Sequence, residues 1–242
     1  MDFYFLGTGN AFGHGGRRRS HYLWMGKQNW LIDASYDALS GLRSIGKTVM
    51  DIDTIFISHL HPDHYMALPQ FALENYYVIK KKDKIPLFLP EEGKKAVYEA
   101  TELFFNEEIV GHLDDLYDFI EIGVNKSIDL RYGSLETLPA QHSGNGRMQI
   151  IEKEGIKLGY TGDTSMNEEY FTRLLESDFV ISEASTGSHN IPDHITLAEL
   201  MKMDNPNETP IYISHVGEST IAMKGMIKPP LFMTKDGMKI SV

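Results

Sequence analysis

The densest chemistry in the chain is His59-Leu60-His61-Pro62-Asp63-His64, three imidazoles and a carboxylate within six residues. It follows directly on Thr54-Ile55-Phe56-Ile57, a β-branched and aromatic run that reads as a strand buried on both faces. On extended backbone His59 and His61 project to the same side, so their ring nitrogens can converge on one metal ion. Pro62 then forces a turn, after which Asp63 and His64 can reach a second position nearby. A loop beyond the carboxyl end of a strand is where an α/β sheet usually places its ligands.

Three later segments repeat the pattern of an apolar strand ending in a potential ligand. His142 follows a strand ending near Leu138, Asp163 sits in Tyr160-Thr161-Gly162-Asp163-Thr164, and His215 follows Ile211-Tyr212-Ile213-Ser214. Together these residues and the first run supply five imidazoles and two carboxylates, enough for two hydrolytic divalent metal ions. Cysteine is absent, so the ligands are nitrogen and oxygen donors, a set that suits zinc, manganese or iron; zinc is the expected metal. Two such ions about 3.5–4 Å apart share a bridging hydroxide that is nucleophilic near neutral pH, so no Ser, Cys or Lys nucleophile is required. Asp63 is placed to orient that hydroxide or accept its proton.

The elements that must position these groups are short and numerous. Strands are expected at Phe3–Leu6, Trp30–Ile32, Thr54–Ile57, Ile85–Leu89, Phe119–Ile122, within Ser127–Leu138, at Phe179–Ile181 and at Ile211–Ile213. Met148–Ile151 and Lys157–Tyr160 form a hairpin around Glu154-Gly155, and Met238–Val242 is expected to close a sheet edge. Helices are expected at Tyr65–Tyr77, where Pro69 argues for a short first turn or a kink, and at Glu91–Phe105, Asn167–Leu175 and Leu197–Met203. This mixture predicts α/β layers around one or two sheets. At 242 residues and 27.5 kDa, with no repeat or linker, it reads as a single domain over residues 1–242. No apolar stretch reaches membrane-spanning length and no signal-peptide core is evident, so a cytoplasmic enzyme is expected. The net charge of −11 argues against broad capture of nucleic acid.

The order SHLHPDH, AQHS, YTGDT and ISHV resembles the metallo-β-lactamase superfamily across roughly residues 3 to 217. The resemblance implies an αβ/βα four-layer sandwich with two metals at one edge of two facing sheets. It implies His59, His61 and His142 on one metal, Asp63, His64 and His215 on the other, and Asp163 bridging them. Redox members with di-iron carry an acidic residue where this chain has His61, so the resemblance is to the hydrolases.

Ile181-Ser182-Glu183-Ala184-Ser185, followed by Asp193-His194-Ile195-Thr196, resembles the transfer-RNA 3′-processing endonuclease (ribonuclease Z) branch and its phosphodiesterase relatives. Ser182 stands where that branch has His, and Ile195 where it has a small hydroxyl residue. By resemblance His194 meets the scissile phosphate or protonates the leaving oxygen, and Glu183 orients it; the plainer alternative is that His194 decorates a helix start capped by Asp193 or Thr196. Phe5-Leu6-Gly7-Thr8-Gly9-Asn10 resembles the opening of the same branch, and one of Arg17, Arg18 or Arg19 in the glycine-rich loop that follows is a candidate phosphate contact.

The branch's long RNA-gripping arm has no counterpart here. Only 20 residues lie between His142 and Asp163, and residues 91–126 are acidic through Glu107, Glu108, Asp114, Asp115, Asp118 and Glu121. The expected substrate is therefore a small phosphodiester, such as a cyclic nucleotide or short nucleotide diester, rather than a folded RNA. Transfer-RNA 3′-end processing, and lactone or thioester hydrolysis by the same metals, are the alternatives, with a metal-stabilised binding protein after them. The resemblance also implies a homodimer.

Overall fold

The computed structural model describes every residue from Met1 to Val242. The chain divides into two compact units, one formed by residues 1–7, 18–122 and 236–242 and the other by residues 8–17 and 123–235.

The first unit opens with β1 (Asp2–Gly7), β2 (His21–Met25), β3 (Trp30–Ile32), α1 (Ala38–Ser44) and β4 (Thr54–Phe56). It continues with α2 (Pro62–Tyr65), α3 (Ala67–Glu74), β5 (Ile85–Leu89), α4 (Gly93–Phe104), α5 (Glu107–Gly111), α6 (Leu113–Leu116) and β6 (Tyr117–Glu121). The second unit contains β7 (Lys126–Leu130), β8 (Gly133–Pro139), β9 (Arg147–Lys153), β10 (Ile156–Tyr160), α7 (Glu168–Leu174), β11 (Phe179–Ala184), α8 (Leu197–Leu200), β12 (Ile211–Val216), α9 (Glu218–Ala222) and β13 (Leu231–Met233). The chain then returns to the first unit as β14 (Met238–Ser241), which pairs antiparallel with β1 at the expected sheet edge.

Each unit holds one seven-stranded sheet, ordered β14-β1-β2-β3-β4-β5-β6 in the first and β13-β12-β11-β10-β9-β8-β7 in the second. Both sheets are mixed: β3 to β6 run parallel, as do β10 to β13, and the remaining neighbours are antiparallel. In the first sheet the pleat separates two apolar faces. Leu6, Leu23, Leu31, Ile55 and Leu87 pack with Leu42, Leu68, Phe71 and Val97 of the helices. The residues between them form a buried aromatic row, with ring centroids 6.3 Å apart for Trp24 and Trp30, 5.3 Å for Trp30 and Phe56, and 5.2 Å for Phe56 and Phe88. In the second unit Phe171, Leu174, Leu197 and Leu200 of α7 and α8 pack with Val180, Ile211 and Ile213 of the sheet.

Several elements differ from the sequence expectation. β2 carries buried residues on both faces and so shows no alternation, and α1 and β13 are too short to leave a clear period. α4 starts at Gly93 rather than Glu91, because Glu92 adopts a left-handed conformation (φ 66°) ahead of the first turn. Pro69 falls in the first turn of α3, the short-turn option, where its missing N–H costs nothing. No helix is long and apolar enough to cross a membrane.

His21, on β2, is wholly buried; its Nδ1 lies 2.7 Å from the Arg19 carbonyl and 2.9 Å from Ser35 Oγ. A side chain at Gly41 would run into its other ring nitrogen, so that position accepts only glycine. Burial pushes His21 down to about 4, outweighing the Arg19 carbonyl, which favours the charged form. Between pH 6.5 and about 4 the unfolded chain therefore binds a proton that the folded chain refuses. His21's contribution is complete above pH 6.5 and is lost as pH falls toward 4, by about 3 kcal/mol. Urea melts from pH 7 to pH 4.5 should show a steeper loss of stability in the wild type than in His21→Gln. Equal slopes would mean that His21 is not the group responsible.

Candidate metal centre and acid–base pair

In the first unit the chain leaves β4 through Ile57 and Ser58 to His59, all fully buried. Asp33, immediately after β3, organises this turn. Its Oδ1 accepts from Ser58 N at 2.7 Å, and its Oδ2 accepts from Ser58 Oγ at 2.8 Å and His64 Nδ1 at 2.7 Å. With its hydroxyl proton committed to Asp33, Ser58 Oγ accepts from His59 Nδ1 at 3.0 Å. Both rings are thereby held with the proton on Nδ1, which makes Nε2 the nitrogen that could ligate a metal.

His61 occupies the cap position of α2 with Pro62 in its first turn, so the proline ends the extended segment as the sequence requires. The His59 ring lies 4.8 Å from His61 and 4.0 Å from His64, and Asp63 Oδ2 lies 3.5 Å from His64 Nε2. All four members of the sequence-predicted run thus gather within this unit. Asp33 was not among the predicted site residues. Its signal was an acidic residue ending the apolar run Trp30-Leu31-Ile32, the same strand-end pattern that marks the others.

In the second unit four strands deliver the second donor set. His142 lies in the turn after β8, with Nδ1 donating to the Asp193 carbonyl at 2.9 Å. Asp163 follows β10, its Oδ2 3.2 Å from His215 Nε2 and 3.9 Å from His142 Nε2. The β11–β12 register shifts after Glu183, which pairs with Ser214 while Ala184 pairs with Val216. His215 is the extra residue of this bulge, at φ 49°, and its ring is turned out of the ladder. Ser185 Oγ donates to Glu183 Oε2 at 2.6 Å and lies 2.9 Å from His215 Nδ1, from which it accepts.

His194 sits in the same network. Its Nδ1 is 3.0 Å from both Glu183 oxygens and 3.1 Å from Ser185 Oγ. Its ring stacks on His215 (5.9 Å, 13°) and meets His142 edge-on (4.9 Å, 64°). One ligand atom from each of His142, Asp163 and His194 lies within 4.8 Å of the others. The cap of α8 is Thr196, which forms a capping box with Glu199 as the plainer alternative expects, while the His194 ring two residues ahead is engaged by Glu183 and Ser185. Ile195 belongs to the buried core, and Ser182 Oγ donates to the Glu183 carbonyl at 2.9 Å, so both departures from the ribonuclease Z pattern have structural work here.

Burial disfavours a charged His194, but the Glu183 hydrogen bond and the charges of Glu183, Asp163 and Asp193 outweigh it and raise its pKa to about 9. Burial and then Asp163 push Glu183 up, against His194 and His215. The proton of this pair resides on His194, because three carboxylates favour the imidazolium.

The three loop arginines are engaged within the protein. Arg17 Nη1 donates to Thr8 Oγ1 at 2.5 Å and the Thr234 carbonyl at 2.8 Å, and Arg18 Nε donates to the Leu6 carbonyl at 2.6 Å. Arg19 pairs with Asp37 at 3.3 Å and stacks over Tyr36. His112 contacts Asn75 and Tyr76 away from either donor set.

The model of the family described as Anti-Pycsar protein Apyc1 matches residues 1–236. The Anti-Pycsar protein Apyc1 of Paenibacillus sp. (strain J14) is 25% identical over 236 residues, which cover 91% of this chain and 91% of that protein. The metallo-β-lactamase fold protein YhfI from Bacillus subtilis has a TM-score of 0.80 at 15% identity, covering 99% of this chain and 98% of its own. The short form of human tRNase Z has a TM-score of 0.75 at 20% identity, covering 100% and 99%. These likenesses establish the metallo-β-lactamase fold expected of the sequence.

The donor chemistry of both units fits divalent metal, since His59, His64, His142 and His215 all have Nδ1 tied and carboxylates at hand. Asp33→Ala should therefore weaken zinc binding by about 10–100-fold through His64 and His59. Competition with a chromophoric chelator measures this, alongside circular dichroism to confirm folding. Unaltered affinity in a folded variant would remove Asp33 from the metal's support.

Proposed function

The chain belongs to the Anti-Pycsar protein Apyc1 family and is a hydrolase of the metallo-β-lactamase fold, and we propose that it is a dinuclear metal-dependent phosphodiesterase acting on a small phosphodiester, first among them a cyclic nucleotide. The family name points to cyclic-nucleotide degradation. In this reading His59, His61 and His142 hold one zinc ion, Asp63, His64 and His215 the other, and Asp163 bridges them. The bound metals supply an activated hydroxide and positive charge for the phosphoryl oxygens. A homodimeric assembly and a cytoplasmic setting, both carried over from the family resemblance and the sequence, complete the proposal.

The observation that carries the reading is the Glu183–His194 pair, in which the buried Glu183 carboxylate lies 3.0 Å from His194 Nδ1. A thioester expels a stable thiolate and has little need of such an acid, whereas expulsion of a nucleoside alkoxide gains from one. Glu183 accepts at His194 Nδ1 and aims the Nε2 proton outward, and Thr164 N fixes Glu183 by donating to Oε1 at 2.7 Å. Ser185 couples the same carboxylate to His215, so the acid and a ligand position share one anchor. Asp63 orients the attacking water or takes its proton. A small substrate is favoured because the chain between His142 and Asp163 is used up by one turn and the β9–β10 hairpin, with no segment left to grip RNA.

The leaving group provides the test. His194→Ala should lower kcat on a 3′,5′-cyclic nucleotide by about 10²–10⁴-fold with metal content unchanged. On bis(p-nitrophenyl) phosphate, whose phenolate departs without a proton, the loss should be far smaller. The wild-type rate on the cyclic nucleotide should fall as pH rises through about 9, where His194 gives up its proton. Equal losses on both substrates would deny His194 the acid role. Turnover of lactones or thioesters but of neither phosphodiester would replace the phosphodiesterase reading.

A further inference from the structure

Resting on the phosphodiesterase reading, we propose that Phe12 is the platform on which the substrate's nucleobase stacks. The glycine-rich loop that carries it is built into the catalytic strand of the second unit. Gly9 bridges to Val216, the residue after His215; Val216 N donates to the Thr8 carbonyl at 3.1 Å and Asn10 N to the Val216 carbonyl at 3.3 Å. Asn10 is buried, and a side chain at Gly217 would meet both its amide and the Ser185 carbonyl. The loop's root is thus packed against the two residues that flank the His215 and Glu183 positions.

From that root the chain makes a fixed turn. Asn10 Oδ1 accepts from Phe12 N at 3.1 Å, the Asn10 carbonyl accepts from Gly13 N at 2.9 Å, and Gly13 takes the left-handed conformation (φ 61°) that ends the turn. Arg17 closes the far end by bonding back to Thr8 and to the Thr234 carbonyl. Helix α9, which begins three residues after His215, supports both this loop and the one that leads to His194. Ile221 would stand 3.4 Å from a side chain at Gly15, and Ser219 Oγ accepts from Gly187 N at 3.0 Å.

On this braced loop Phe12 is 77% exposed, with the His14 ring tilted beside it at 5.7 Å. Other exposed apolar side chains, such as Val78, Leu103 and Phe104, sit on helix surfaces or helix ends. Among the exposed aromatic side chains Phe12 stands on a loop, Tyr77 and Phe104 on helices and Phe232 on β13, and the loop of Phe12 is hydrogen-bonded to the strand that carries His215. An ordered, water-facing benzyl group gains by covering a flat aromatic face, and every nucleobase offers one. The platform therefore selects nucleotides over base-free diesters while tolerating different bases.

The test compares a 3′,5′-cyclic nucleotide with a methyl ribofuranoside 3′,5′-cyclic phosphate, which has the same diester and no base. In Phe12→Ala the KM for the nucleotide should rise about tenfold, and the preference for nucleotide over base-free diester should fall by the same factor. Phe12→Tyr should restore both. Independently, Phe12→Trp places an indole on the loop, and a nucleoside monophosphate should quench its fluorescence where ribose 5-phosphate does not. A preference unchanged in Phe12→Ala, or quenching alike by both phosphates, would overturn the platform. If wild-type protein turns over neither diester, the phosphodiesterase reading fails by itself, and the quenching experiment still decides the platform. A shift of Phe12→Ala to a smaller species in sedimentation, with nucleotide preference intact, would assign the ring to contact with a second copy and overturn the proposal.

Discussion

Everything chemical in this protein depends on fixing the imidazole tautomer. A neutral histidine has one donor and one acceptor nitrogen, and only the acceptor binds a metal. Both units solve this with the same device: a buried carboxylate at a strand's carboxyl end and a serine hydroxyl beside it. Asp33 with Ser58 holds His64 and His59, while Glu183 with Ser185 holds His194 and His215. The serine is more than a spacer. By donating to the carboxylate it becomes an acceptor, so one acid sets the proton position on two rings. Burial makes the device rigid, because neither carboxylate has water as an alternative partner.

The backbone bends to serve this arrangement. Asp33, His215 and Asp193 all have positive φ, at 56°, 49° and 65°. None is glycine, and such conformations cost of order 1–3 kcal/mol each. Each is a residue whose side chain or carbonyl orients, or itself is, a candidate ligand. At His215 the strain coincides with the β-bulge that shifts the register against β11, while β13 on the other side pairs with β12 in regular register up to Met233. Extended, well-packed strands thus end in short non-repetitive segments where a side chain can be aimed independently of the pleat.

What was legible in the sequence was what spacing or order encodes. The run from His59 to His64, and the strand-end positions of His142, Asp163 and His215, follow from strand periodicity and proline, and each lies where that logic puts it within its unit. Asp33, Ser58 and Ser185 were not legible as site residues, because a lone acid or hydroxyl at a strand end is common and its partners across the fold leave no local pattern. Their role exists only once positions 25 and 30 apart have met, Asp33 with Ser58 and Ser185 with His215. The same holds for the loop arginines: as a basic run they suggest a phosphate contact, but the carbonyls and carboxylate that engage them come from distant segments. β2 and α1 escaped for a different reason, since burial on both faces or a length of two turns erases the period that marks an element.

The commitment of those arginines bears on how an acidic chain handles an anionic substrate. With a net charge of −11, long-range attraction for a polyanion is absent. At physiological ionic strength charges are screened beyond about 8 Å, so a substrate that fits inside that radius responds to local groups and not to the surface as a whole. In the second unit the charges of Glu183, Asp163 and Asp193 favour the protonated form of His194. A compact diester can gain from that proton, from bound cations and from an aromatic face such as the one proposed for Phe12. A long RNA needs a continuous basic track beyond the screening distance, and Arg17, Arg18 and Arg19 are engaged by Thr8, by the Leu6 and Thr234 carbonyls and by Asp37.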